Sequence, residues 1–143
     1  MNTHGDSPRP RILFVCNTNG GKSQMAAALL RQRAGDALQV ESAGLVPAGQ
    51  INRLAAEVLA ENGADMRSEV PSALSEARLR AADRVIIVGG AQVPELEGVA
   101  MERWVPRTAP ESLANDRERM EFLRSDLETR VVQLEHDIAG GQS

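Results

Sequence analysis

Cys16, Asn19, Lys22 and Ser23 fall within one eight-residue stretch, CNTNGGKS, that follows the apolar run ILFV and leads directly into MAAALLRQRA. Two chemistries fit such a stretch. The first is the phosphate loop of nucleotide-hydrolysing proteins, G-x-x-x-x-G-K-[ST], which residues 16–23 match except at the first position, where Cys16 stands for glycine. Gly21, Lys22 and Ser23 would then cradle phosphates and hold magnesium. That reading lacks its acidic partner, because the later apolar run VIIVGG ends in Gly89 and Gly90 and supplies no carboxylate for the metal. The second takes Cys16 as the reacting atom. Loop N–H groups, the positive end of a helix dipole, the Lys22 ammonium and the Ser23 hydroxyl all converge on a cysteine so placed. These groups suit a thiolate, the nucleophilic form of cysteine, and they would hold a tetrahedral oxyanion in front of the sulfur. A merely buried cysteine requires neither paired glycines nor a Lys-Ser pair, so the nucleophilic reading is preferred.

The surrounding pattern supplies elements to position this loop. ILFVC is apolar without alternation, as in a strand covered on both faces. Residues 23–34 carry Met25, Ala28, Leu29 and Gln32 at helical spacing, with Gly35 as a stop. LQVESAGL reads as a short second strand that Ser42-Ala43-Gly44 turns. Asn52–Asn62 forms an amphipathic helix ended by Gly63, SEARLRAA a shorter one, and DRVIIVGG a third, buried strand. MERWV is a weak fourth strand with Trp104 in the core, and residues 112–138 form a long closing helix. The expectation is a single three-layer α/β domain, a four-stranded parallel sheet with helices on both faces, over residues 10–138. Residues 1–9 are expected as a flexible arm and 139–143 as a tail. Ligands of such sheets sit at the carboxyl ends of the strands, where the loop after the first strand lies.

Composition narrows the classes further. At 143 residues, one domain with a substantial core is expected. A net charge of -4 without any basic face argues against nucleic-acid binding. One cysteine excludes a disulfide framework within the chain, and two histidines at opposite ends, His4 and His136, make a metal cluster improbable. No apolar run approaches the roughly 20 residues of a membrane span, and MNTHGDSPRP lacks the apolar segment of a signal peptide. A reduced, cytoplasmic protein without membrane association is the expectation. Lys22 is the sole lysine among 16 basic residues, so its place in the loop reads as specifically required.

These residues resemble the low-molecular-weight protein tyrosine phosphatase family, whose loop runs Cys, two residues, Asn, two residues, Arg, Ser. Cys16, Asn19 and Ser23 match, and Lys22 replaces the arginine. The resemblance continues through V-E-S-A-G, the third strand and the closing helix. The form N-G-G-K-S-Q-M-A is most similar to the arsenate-mycothiol transferases, small-thiol-dependent arsenate reductases of the same fold. The resemblance implies that Asn17, Thr18, Asn19, Gly20, Gly21 and Lys22 bind arsenate or a phosphate-like oxyanion, that Cys16 attacks it, and that Ser23 stabilises the thiolate. It further implies that Asn19 fixes the loop shape. Family phosphatases protonate the leaving oxygen from an Asp-Pro loop; here the segment reads Ala109-Pro110, with Glu111 and the more distant Asp116 as substitutes and Arg107 and Ser42 as supporting candidates. Thioredoxin-linked reductases of this fold carry two further cysteines near the third strand, and Val88-Gly89-Gly90-Ala91 has none. The resolving thiol must then come from outside, as a low-molecular-weight thiol such as mycothiol, with a separate redoxin acting on the released adduct and no bound cofactor. Lysine grips an oxyanion as a point charge where arginine offers a bidentate fork. A phosphatase and a catalytically weak oxyanion-binding domain remain the alternatives.

Overall fold

The computed structural model describes residues 9–141. Four strands, β1 (Arg11–Cys16), β2 (Gln39–Gly44), β3 (Arg84–Val88) and β4 (Met101–Trp104), form one parallel sheet in the order β2-β1-β3-β4. Helices α1 (Lys22–Ala34), α2 (Arg53–Glu61), α3 (Glu76–Ala81) and α4 (Asp116–Gly141) make the crossovers and the closing element. The chain leaves β1 toward β2 on one side and returns to β3 on the other, so the strand order reverses at the β1–β3 pair. The loops after β1 and β3 therefore diverge, and a crevice opens between them.

Alternation along the central strands creates two cores. Ile12, Phe14, Ile86 and Val88 point to one face, beneath α1, α2 and α4, while Leu13, Val15, Val85 and Ile87 point to the other, with Leu79 of α3. On the first face the Phe14 and Trp104 rings lie 5.5 Å apart and tilted by 56°, a favourable aromatic arrangement. Helix α1 is buried continuously from Ser23 to Leu30. Its apolar spacing suggests one covered face, but α4 packs over its outer side, and the small side chains of Ala26, Ala27 and Ala28 let it lie between two layers.

Boundaries differ from the sequence expectation at three places. Ser42-Ala43-Gly44 continues β2, because Gly44 is in register with Cys16 on one side and exchanges hydrogen bonds with Ser72 and Leu74 on the other. Helix α4 begins at Asp116 because the chain first turns at residues 110–113, with Leu113 N donating to Pro110 O at 3.0 Å, and Asn115 Oδ1 then accepts from Glu118 N at 2.8 Å, an N-cap interaction. It continues through Gly141, so residues 139–141 are helical and not tail. Of the expected N-terminal arm, residues 1–8, with His4, lie outside the described residues, as do residues 142–143. No described helix is long and apolar enough to cross a membrane.

Phe14 is fully buried whereas Val46 is 74% exposed. Chemical denaturation should therefore show Phe14→Ala costing about 3–5 kcal/mol, and Val46→Ala remaining within about 0.5 kcal/mol of the parent.

Candidate active site

The loop between β1 and α1 is held by its carbonyl groups. The backbone N–H groups of Leu45, Val46, Ala48 and Asn52 donate to the carbonyls of Cys16 (3.2 Å), Asn17 (2.8 Å), Thr18 (2.9 Å) and Gly20 (2.6 Å). In a planar trans peptide the N–H points away from the preceding C=O. Drawing these four carbonyls outward onto residues 45–52 therefore turns the N–H groups of Asn17, Thr18, Asn19 and Gly21 to the opposite side. The Asn19 N–H does reach Cys16 Sγ, at 3.2 Å. Gly21 stands at the N-cap of α1 with no side-chain cap, which leaves the helix start open to an anion.

Asn19 organises the interior of the loop. Its backbone has φ of +54°, the only positive value at a non-glycine among the described residues, in the left-handed region that asparagine tolerates better than most residues. The side chain is fully buried and spans three elements. Nδ2 donates to Ser23 Oγ at 2.8 Å, while Oδ1 accepts from Gln24 Nε2 at 3.2 Å and from the backbone N–H of Ser72 at 2.9 Å. Because Ser23 Oγ accepts from Asn19, its own proton is available to Cys16 Sγ, 3.0 Å away. The Asn19 amide and the Ser23 hydroxyl thus aim two donors at sulfur. This arrangement fits a thiolate, which has no proton to give.

Gly44 permits a close approach of backbone, and Gly89 a left-handed backbone beside Lys22. A Cβ on Gly44 would lie 2.7 Å from Asn19 N and 2.8 Å from the Thr18 carbonyl carbon, both backbone atoms that cannot swing aside. Gly44 also accepts from Leu74 N and donates to Ser72 O, which fixes the segment that grips Asn19 Oδ1. Gly89, at φ of +93°, lies along the Lys22 stem, with a Cβ position 3.6 Å from Nζ.

In front of Cys16 lies a cavity of about 520 Å³ lined by the loop residues Asn17, Thr18, Gly20, Gly21 and Lys22 together with Asn52, Val88 and Met120. A second, of about 830 Å³, adjoins it at Lys22, Gly90 and Leu123 and includes Ala109 and Arg107. Of the sequence candidates, the structure brings together Cys16, Asn17, Thr18, Asn19, Gly20, Gly21, Lys22 and Ser23. Arg107 joins the adjoining cavity, its Nε on Asp126 at 3.1 Å. Ser42 is buried within β2 and lines neither cavity; its carbonyl accepts from Ser72 Oγ and Arg78. Glu111 and Asp116 are exposed and line neither cavity. Gln24, Gly44, Ser72 and Gly89 were not singled out by sequence. A glycine closing a strand was the visible signal for Gly44 and Gly89, whereas Ser72 sits 53 positions from its partner with no local signal. No group of three potential metal ligands occurs among the described residues.

The family model described as low molecular weight phosphotyrosine protein phosphatase matches residues 11–139. A thioredoxin-dependent arsenate reductase of Corynebacterium glutamicum superposes with a TM-score of 0.76 at 32% identity, over 96% of this chain and 65% of that one. This chain thus spans just under two thirds of that protein's length. An arsenate reductase of Archaeoglobus fulgidus superposes with a TM-score of 0.71 at 27% identity, over 86% of this chain and 97% of that one. A Halobacterium salinarum protein named "Putative arsenate reductase" is 28% identical over 127 residues, 85% of this chain and 87% of its own.

Two measurements test the site. Iodoacetamide alkylation of Cys16 should slow in the presence of inorganic phosphate or arsenate, and an unchanged rate would argue against an oxyanion in front of the sulfur. Asn19→Ala, which leaves buried partners unmatched, should lower unfolding free energy by about 2–4 kcal/mol and abolish that protection.

Proposed function

Because the chain belongs to the low molecular weight phosphotyrosine protein phosphatase family, we propose that it uses that family's cysteine chemistry to reduce arsenate, passing arsenic from Cys16 to a small thiol from outside the chain. One observation carries the choice of arsenate over a phosphate ester. Among the described residues no Asp or Glu lines either cavity, and Ala109 occupies the segment where an acid was expected. An ester oxygen carries no proton and leaves poorly unless a general acid supplies one, a contribution of about 10² to 10⁴ in rate. Arsenate brings hydroxyl groups of its own, so an oxygen can depart as water without a protein carboxylate. The similarity to arsenate reductases of Corynebacterium glutamicum and Archaeoglobus fulgidus supports the same choice.

The Cys16 thiolate attacks arsenic, an S–As bond forms, and one As–O bond breaks with loss of water. Lys22 and the inward N–H groups of the loop offset the charge on the remaining oxygens, and Ser23 with the Asn19 amide holds the sulfur in line. An external thiolate then attacks arsenic and Cys16 leaves as a thiolate, restored for another cycle. Arsenic is still pentavalent in the released adduct. A redoxin thiolate attacks the adduct's sulfur, forming a disulfide and releasing trivalent arsenic, so two sulfurs lose the two electrons that arsenic gains. An external thiol is needed because Cys16 is the only cysteine.

Purified protein given arsenate, a small thiol and a glutaredoxin-type redoxin should release arsenite. Cys16→Ser should remove turnover while preserving the fold, and a Cys16→Ser protein with full activity would overturn the assignment. Turnover with thioredoxin alone would sink the external-thiol step. Efficient aryl phosphate hydrolysis, raised further by Lys22→Arg, would favour the phosphatase reading instead.

A further inference from the structure

The larger cavity is unusual in its charge. Its lining draws Arg103 from β4, Arg107 from the segment after it and Arg119 from α4, and it shares Lys22 with the cavity in front of Cys16. These are four cations from different parts of the chain, and no carboxylate lines the space. The protein as a whole is acidic, with 20 Asp and Glu against 16 basic residues, so the concentration is local and runs against the composition.

Each arginine is anchored at one place. Arg103 Nη1 donates to the Gly89 carbonyl at 2.5 Å. Arg119 Nη1 donates to the carbonyls of Leu113 (3.1 Å) and Pro110 (3.3 Å). Arg107 holds Asp126 through Nε, with its guanidinium 4.8 Å above the Phe122 ring. A guanidinium carries five N–H donors, so one or two bonds fix its position and leave others for a ligand. Asp126 does not cancel the excess, since its buried carboxylate also accepts from Arg130 Nε at 2.9 Å. Like charges crowded around one space are mutually unfavourable unless an anion enters.

We propose that this cavity is the docking site for the external thiol and that the thiol is polyanionic, bearing two or more carboxylate or phosphate charges. Arg103, Arg107 and Arg119 would hold those charges while the sulfur passes Lys22 to the arsenic on Cys16. The volume of about 830 Å³ falls in the range of small-molecule sites, roughly 300–1,000 Å³. A neutral sugar thiol such as mycothiol would draw no benefit from this charge. The chemistry of the thiol rests on the reading under Proposed function, whereas the charge preference of the cavity can be measured without turnover.

Calorimetry should compare three unreactive probes, S-methylmercaptosuccinate, its dimethyl ester and S-methyl phosphopantetheine. The dicarboxylate is expected to bind at least about tenfold tighter than the diester, the scale of charge-assisted contacts, and to weaken as salt is raised. The phosphate probe binding better than the dicarboxylate would assign the charge to phosphate, and the reverse to carboxylate; either supports a polyanion. Arg103→Gln and Arg119→Gln, both exposed and on separate elements, should each shrink the acid–ester difference to about twofold, with folding checked by circular dichroism. Equal binding of acid and diester, or a difference that survives both variants, would overturn the proposal. In turnover, kcat/KM for mercaptosuccinate should exceed that for monothioglycerol at matched thiolate concentration. Equal values with arsenite released would overturn the docking site and leave arsenate reduction standing. Absence of arsenite with every thiol, alongside arginine-dependent binding of the dicarboxylate, would overturn the reaction and keep the polyanion site.

Discussion

The buried side chain of Asn19 is the interaction on which the site depends. A left-handed residue in the middle of a five-residue connection would ordinarily be a place for glycine, yet glycine would bring no amide. Asparagine accepts the backbone conformation and uses its amide to tie the loop to the start of α1 through Ser23 and Gln24 and to the segment after α2 through Ser72. Three stretches of chain meet at one side chain that water cannot reach. Removing the amide leaves several buried groups without partners at once, a heavier loss than any one hydrogen bond suggests. The order of donors around the sulfur follows from this: Asn19 engages the Ser23 oxygen as acceptor, and Ser23 can then serve Cys16 as donor.

The sheet provides the rigid side of the arrangement. β1 is a central strand with Ile12, Leu13, Phe14 and Val15 essentially inaccessible to solvent, so the position of Cys16 at its end is set by packing on both faces. Gly44, on the neighbouring strand, lets the loop close against the sheet edge at a separation that any side chain would prevent. Strand end, glycine gap and asparagine amide together surround the position of the sulfur.

The parts legible in the sequence were those with local grammar. The central strands β1 and β3 appear as unbroken apolar runs, α2 and α3 carry polar caps at Asn52 and Ser75, and the loop of residues 16–23 is a compact motif. What escaped was tertiary in origin. Ser-Ala-Gly reads as a turn by composition, but Gly44 is in a strand because of what packs over it. Glu111 and Asp116 are close in sequence to the segment expected to supply an acid, and the turn before α4 leaves both exposed and away from the cavities. The arginines at 103, 107 and 119 have no common spacing and come from three parts of the chain, so only the fold brings them to one space.

The outward anchoring of the loop carbonyls onto residues 45–52 makes the shape of the loop largely a property of its main chain. Its inward N–H groups are set by carbonyl anchors of the main chain, and of the outer side chains Thr18 adds one bond, its Oγ1 accepting from Gly20 N at 3.3 Å. In the reaction proposed above, such a scaffold would separate recognition of a tetrahedral anion from the choice of reaction. In the proposed reaction, exchange of Asn17 would leave the main-chain anchors in place, while exchanges at the cation at 22 or the residue at 109 would change which leaving group the same sulfur can expel.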